Sequence, residues 1–185
     1  MQQRRKHSWG DVKQKIKLWG RSELVALLKE LHDLSPENRL FLQARLLPDA
    51  SNGDAIEEYR GNIIKAFYLK SGFPRAKVEL AEARAAIRHY RAATQDVKGT
   101  VDLMLTYLEV GTTFAVEFGE TNEGFFRSLG SVMEETKRLL KEPRAEGIYG
   151  QLRERMQALA KKAADVGWGH GDHLADTVAA LERDA

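Results

Sequence analysis

The chain has 185 residues, with 29 Lys and Arg against 27 Asp and Glu, so its formal net charge is only +2 and it is neither a polycation nor an acidic tail. Hydrophobic residues at 43% are enough for a core, 30% charge suits a helical surface, and the lack of cysteine excludes disulfide scaffolds, thiol catalysis and Cys-based zinc sites. No apolar run approaches the roughly 18–20 residues that cross a bilayer, and the basic start Met1–Lys6 leads into no signal-peptide segment, so a cytoplasmic protein without a transmembrane segment is expected.

Residues 1–21 read as a basic arm that is helical in part. Arg4, Arg5, Lys6, Lys13, Lys15, Lys17 and Arg21 stand against the single acid Asp11, which gives the arm a charge of about +6 and leaves about −4 for residues 22–185. Trp9 and Trp19 lie among these cations. Such a pattern suits a nucleic-acid arm, because cations displace phosphate counterions and indoles stack on bases. The plainer expectation docks Ile16, Leu18 and Trp19 onto the acidic body.

From Ser22 onward one helical domain is expected. Leu24, Leu27, Leu28, Leu31 and Leu34 recur at steps of three and four behind Ser22. Ser35 then Pro36 is an N-cap followed by a first-turn proline, ahead of Leu40, Phe41, Ala44 and Leu47. The stretch Asp49–Asp54 reads as a loop. Ile56, Tyr59, Ile63 and Phe67 form the next stripe, with Gly72 as its helix-ending glycine. Ala76–Ala93 is rich in good helix formers, with Leu80, Ala83, Ile87 and Tyr90 on one side. A helix follows from near Thr100 to near Gly119. Its Val110–Phe118 part is β-branched and aromatic but keeps the helical spacing of Met104, Tyr107, Gly111, Phe114 and Phe118. Phe125, Leu129, Val132 and Leu140 mark another, and Ile148, Leu152, Met156, Leu159, Ala163 and Val166 the next, stopped by Gly167. Leu174, Val178 and Leu181 close the chain. The four prolines all fit helix boundaries. The expectation is all-α, an irregular bundle of seven to eight helices, with a short helical-repeat solenoid as the alternative.

Four segments hold the chemistry-bearing side chains. The arm is one. In the block Leu34–Leu46, Asn38 and Arg45 share one helix face and Arg39 and Gln43 another, and a guanidinium there can clamp a carboxylate or phosphate. The helix Val101–Phe118 is apolar nearly all round, except for a narrow polar stripe of Asp102, Thr106, Glu109, Thr113 and Glu117. Facing a cleft, Glu109 and Glu117 are candidate acid/base groups or metal ligands. Meeting Arg84, Arg88 or Arg91, the stripe is structural. In the tail Val166–Asp176, glycines alternate with Trp168 and His170. Asp172 is placed as an N-cap, and His170, Asp172, His173 and Asp176 are a candidate metal cluster. The plainer reading makes Trp168 a core plug and leaves the histidines on the surface. No HExxH, GxxxxGK[ST], GxGxxG or GxSxG pattern occurs.

The run Ser22–Arg45, with its SPENRLFLQAR block, resembles the opening of a family of small bacterial helical proteins, a domain of unknown function. Ala85–Tyr90, Asp102–Gly111, Glu117–Gly119 and Gly167–Gly169 with Asp172 follow in the same order. The resemblance implies one helical domain of a bacterial cytoplasm and brings no activity with it. A non-enzymatic protein-binding or adaptor module without a cofactor, acting on a protein partner or a second copy, is the leading expectation. Its candidate contacts are Asn38, Arg39, Arg45, Glu109 and Trp168. Nucleic-acid binding through the arm is the alternative, and a metal-dependent enzyme using the tail is the third.

Overall fold

The computed structural model describes residues 7–119 and 122–184, and over 48–54 the backbone alone. Among these residues it holds nine α-helices and no strand: α1 Trp9–Ile16, α2 Arg21–Leu34, α3 Pro36–Leu46, α4 Pro48–Phe67, α5 Leu80–Thr94, α6 Val97–Phe118, α7 Glu123–Leu140, α8 Ile148–Lys162 and α9 His170–Asp184. A single 3₁₀ turn, Pro143–Ala145, joins α7 to α8. The ninth helix is the short α1 within the arm. No helix among the described residues is long and apolar enough to cross a membrane.

Caps explain most of the boundaries. Ser35 accepts from the Asn38 amide at 3.1 Å ahead of Pro36, Asp96 from Gly99 at 3.1 Å, and Asn122 from Phe125 at 3.2 Å. Gly119, with φ +64°, ends α6 in the left-handed region, where a side chain is penalised. Several boundaries differ from the sequence reading, among them that of α8, which ends at Lys162 rather than at Gly167. Asp49–Asp54 belongs to α4, whose first residue, Pro48, has a fixed φ already suited to a helix. That helix then ends at Phe67 rather than at Gly72. The backbone turns extended at Tyr68, and Gly72 instead serves a tight turn in which Leu69 N donates to Phe73 O at 2.8 Å. A lone bridge pairs Tyr68 with Pro74. Ala76–Glu79 is therefore not helical, and α5 begins only at Leu80. This bridge, with Arg75 N donating to Phe67 O and Glu79 N to Ala66 O, ties the segment to the end of α4 and keeps it out of a helix against its own propensity.

The bundle is organised by α6. Val101, Leu103, Leu105, Tyr107 and Leu108 are fully enclosed, because α4, α5, α7 and α8 all pack against this helix. A helix with so little polar circumference finds a stable place only at the centre. That central helix touching four others makes the architecture an irregular bundle rather than a solenoid, and it confirms helix over Val110–Phe118. α9 lies across α7 and α8, and α2 packs on α3. Aromatic rings run through the middle: Phe67 meets Tyr107 at 5.7 Å, Phe114 and Phe125 are 6.0 Å apart, and Phe125 meets Phe126 at 5.3 Å.

The seam between α8 and α9 depends on one small residue. A Cβ on Gly171 would collide with the carbonyl oxygen of Ala163 and stand 3.1 Å from that of Ala164. Backbone at a helix end has little room to retreat, so Gly171→Ala is expected to lower stability by about 2 kcal/mol. Gly150→Ala, with open space around its Cβ, is expected to raise it by up to about 1 kcal/mol through helix propensity. Paired urea midpoints check both, and equal midpoints would show that the seam is loose.

Candidate functional site

The polar stripe of α6 is covered by basic residues from two sides. Asp102 Oδ2 accepts from Arg60 of α4 at 2.5 Å, while its Oδ1 accepts from Arg155 of α8. Arg60 also reaches the Thr106 hydroxyl. Arg155 grips Glu109 with two parallel bonds, Nε to Oε1 at 3.1 Å and Nη2 to Oε2 at 2.8 Å. One turn further, Lys162 donates to Thr113 at 2.7 Å, and the Tyr68 hydroxyl meets Glu117 at 3.5 Å. Burial pushes the Asp102 carboxyl up, but the hydrogen bonds and charge of Arg60 and Arg155 outweigh it and hold the group below the usual carboxylate range. Both oxygens of Asp102 and both of Glu109 are thus committed to guanidinium groups. The stripe is a brace between α4, α6 and α8.

The partners differ from those expected. Arg84 and Arg91 turn toward α7, not toward the stripe, and Arg88 is exposed at the rim of the groove between α5 and α7. Arg84 donates to Ser131 at 3.3 Å and Arg91 to Glu135 at 3.1 Å. Arg60 and Arg155 went unnoticed in the sequence, although each sits next to an apolar stripe residue of its own helix, Tyr59 and Met156, which places it at the rim of a buried face.

On α3 the polar residues act as caps. The Asn38 side chain donates to the Leu31 carbonyl at 2.9 Å, closing the C-terminal end of α2. Arg45 donates to the carbonyls of Ala93 at 3.1 Å and Ala92 at 3.5 Å, placing its charge at the negative end of α5. Arg39 is exposed. Asn38, Arg39, Arg45, Glu109 and Trp168 therefore occupy separate places and line no common pocket.

The tail is also arranged otherwise than its spacing suggested. Trp168 is 60% exposed rather than plugged into the core, adopts φ +61°, and stacks on Phe126 with ring centroids 6.3 Å apart. Helix α9 starts at His170, so Asp172 is an exposed residue of its first turn and not the N-cap. His170 is buried and its Nε2 meets the Thr112 hydroxyl at 2.9 Å. Burial, with a smaller contribution from His173, pushes the His170 imidazole down to about 4. His173 instead pairs with Glu134 of α7 at 2.6 Å, and Asp176 is exposed. Among the described residues no three His, Asp or Glu side chains gather as a metal site would need. His170, Asp172, His173 and Asp176 are separated because one imidazole turns inward and the other toward α7.

Two surfaces remain without an internal explanation. The first is the α1–α2 segment, in which no side chain is buried. α1 is closed by a capping box between Ser8 and Asp11, and Lys13, Lys15 and Lys17 are exposed on it. Arg4, Arg5 and Lys6 lie outside the described residues. Leu18 and Trp19 do not dock into the body, for Leu18 is 83% exposed and Trp19 40%, while Ile16 is half-buried but not among the residues packed on the core. On α2, Val25, Leu28, Leu31 and Leu34 are exposed as well. The second is a groove of about 350 Å³ between α5 and α7, with Arg84, Arg88 and Arg91 along one wall, Glu135 opposite, and Met104 and Val132 at its base. No family model matches the chain, and no curated protein or solved structure matches it either.

Proposed function

We propose that the chain is a non-enzymatic protein-binding module of a bacterial cytoplasm, and that its α1–α2 segment docks an acidic amphipathic helix of a partner protein. One observation carries the reading: of the leucine stripe of α2, Leu24 and Leu27 are half-buried while Leu28, Leu31 and Leu34 stay exposed, with Val25 beside them. Contiguous exposed apolar surface on a soluble protein marks an interaction face, and an amphipathic helix is a common occupant of such a face. Charge selects the partner's sign. Along the α1–α2 segment Lys13, Lys15, Lys17, Arg21 and Lys29 stand against Asp11, Glu23, Glu30 and Asp33, and the cations gather toward its α1 end, so acidic flanks on the incoming helix are attracted there and basic ones repelled. Nucleic acid uses the same cations but gains nothing from Leu28, Leu31 and Leu34.

The test is a titration of the full chain with a synthetic Leu/Glu amphipathic peptide and its Leu/Lys counterpart. Emission of Trp9 and Trp19 is read in the Trp168→Phe background. The acidic peptide is expected to bind, to weaken with added salt, and to lose about tenfold or more in affinity on a Leu28→Asp, Leu31→Asp double variant. Both residues are exposed, so the melting temperature of that variant stays at the parent value. Three results overturn the reading: neither peptide binds; a single-stranded oligonucleotide binds with a steep salt slope that the leucine variant leaves unchanged; or light scattering shows a dimer that the leucine variant dissolves.

A further inference from the structure

We infer that the α5–α7 groove is a binding site for a small molecule that joins an anionic head, carboxylate or phosphate, to a compact apolar body. Arg84, Arg88 and Arg91 are spaced by four and three, so α5 presents three guanidinium groups on one face. Like charges at this spacing repel and weaken a helix. At the α6 stripe two such charges are answered by acids, Arg60 by Asp102 and Arg155 by Asp102 and Glu109. In the groove only Arg91 is so answered, by Glu135 at 3.1 Å. Arg84 donates to the neutral Ser131 hydroxyl, and Arg88 makes no ion pair with any carboxylate among the described residues. The groove thus keeps positive charge unneutralised next to an apolar base.

Shape narrows the ligand. The volume of about 350 Å³ suits one small organic molecule. Met104, Val132 and Ile87 are buried and form an apolar floor, to which exposed Ala92 adds a surface for a ring or short hydrocarbon. A guanidinium fork is built for a planar or tetrahedral oxyanion and takes it by two parallel bonds. Neither half of such a ligand suffices alone: a bare ion leaves the base empty, and a neutral ring leaves Arg84 and Arg88 without an acceptor.

The test is calorimetric titration of the full chain at fixed ionic strength with four probes. Phenyl phosphate and phenylacetate carry both halves and distinguish a phosphate head from a carboxylate head. Inorganic phosphate carries only the charge, and benzyl alcohol only the ring. At least one of the two ring-bearing anions is expected to bind one to one, about tenfold or more tighter than either half-probe. Arg88→Gln removes a charged guanidinium fork, and Ala92→Trp fills the groove from an exposed position on α5. Each is expected to weaken that probe about tenfold or more while leaving the melting temperature unchanged. Glu135→Gln, which releases Arg91, is expected to tighten it. The inference is overturned if neither ring-bearing anion binds better than the half-probes, or if Arg88→Gln and Ala92→Trp bind like the parent.

Discussion

Asp102→Ala is expected to lower stability by about 3 kcal/mol at neutral pH, the usual range for removing one partner of an enclosed ion network. The carboxylate is 17% exposed and answers two guanidinium groups, one from α4 and one from α8. Its loss leaves Arg60, itself mostly enclosed, facing only the Thr106 hydroxyl and Glu57. Arg155 retains Glu109 and is 38% exposed, so solvent screening limits its share. Most of the cost therefore falls on Arg60. Urea denaturation checks the figure, and a loss under about 1 kcal/mol would mean that the network behaves as an ordinary surface pair. A triple variant with apolar residues at 60, 102 and 155 is expected to recover most of the loss, because the cost arises from the unanswered charge rather than from an absent attraction. The carboxyl is held below its ordinary 3.8 in the folded protein. Its contribution is thus complete above about pH 4 and fades as pH falls through the lower folded value.

The second large effect lies at milder acidity and belongs to His170. Its imidazole ionises near 6.5 in the unfolded chain and only near 4 when buried against Thr112. Above pH 6.5 both states hold it neutral and nothing is lost. Between 6.5 and about 4 the unfolded chain takes up the proton first, which drains about 3 kcal/mol of stability. Below about 4 both states are charged and the loss is complete. His170→Gln, neutral throughout and still able to bond Thr112, is expected to flatten the stability curve across this window. The measurement is the urea midpoint of both proteins from pH 7 to pH 4. Parallel curves would show that the imidazole is not held neutral in the fold. The windows of His170 and Asp102 barely overlap, so one pH series separates them.

The helices were legible because their spacing is local. The leucines of α2, the Ser35–Pro36 start of α3 and the all-round apolarity of α6 each state a helix within a few turns of chain, and the last also states a central place. Boundaries were less legible where a neighbour overrules propensity. Ala76–Glu79 has good helix formers yet stays non-helical, because Glu79 N donates to Ala66 O at 2.9 Å and Arg75 N to Phe67 O at 2.9 Å. The candidate sites divided in the same way. The polar stripe of α6 was readable from steps of three and four, but its partners Arg60 and Arg155 lie 42 and 53 residues from Asp102. Nothing local tells one arginine from another at such separations. Trp168 and His170 were singled out for their odd setting, yet their fates are opposite to the plain reading: the indole lies on the surface and the imidazole inside.

The amino-acid order by itself determined an all-helical chain, the helix that occupies its centre, and the charge split between the arm and the rest, since each follows from periodicity or counting along a few turns. The tertiary structure alone decided which cations meet the stripe of α6, which histidine is buried, and that Arg84 and Arg88 are left over beside an apolar groove. The reason is the range of the forces involved. Helix formation is settled among near neighbours, whereas the partner of a charge, or the neutrality of an imidazole, depends on which distant surface the packed core brings within hydrogen-bond reach.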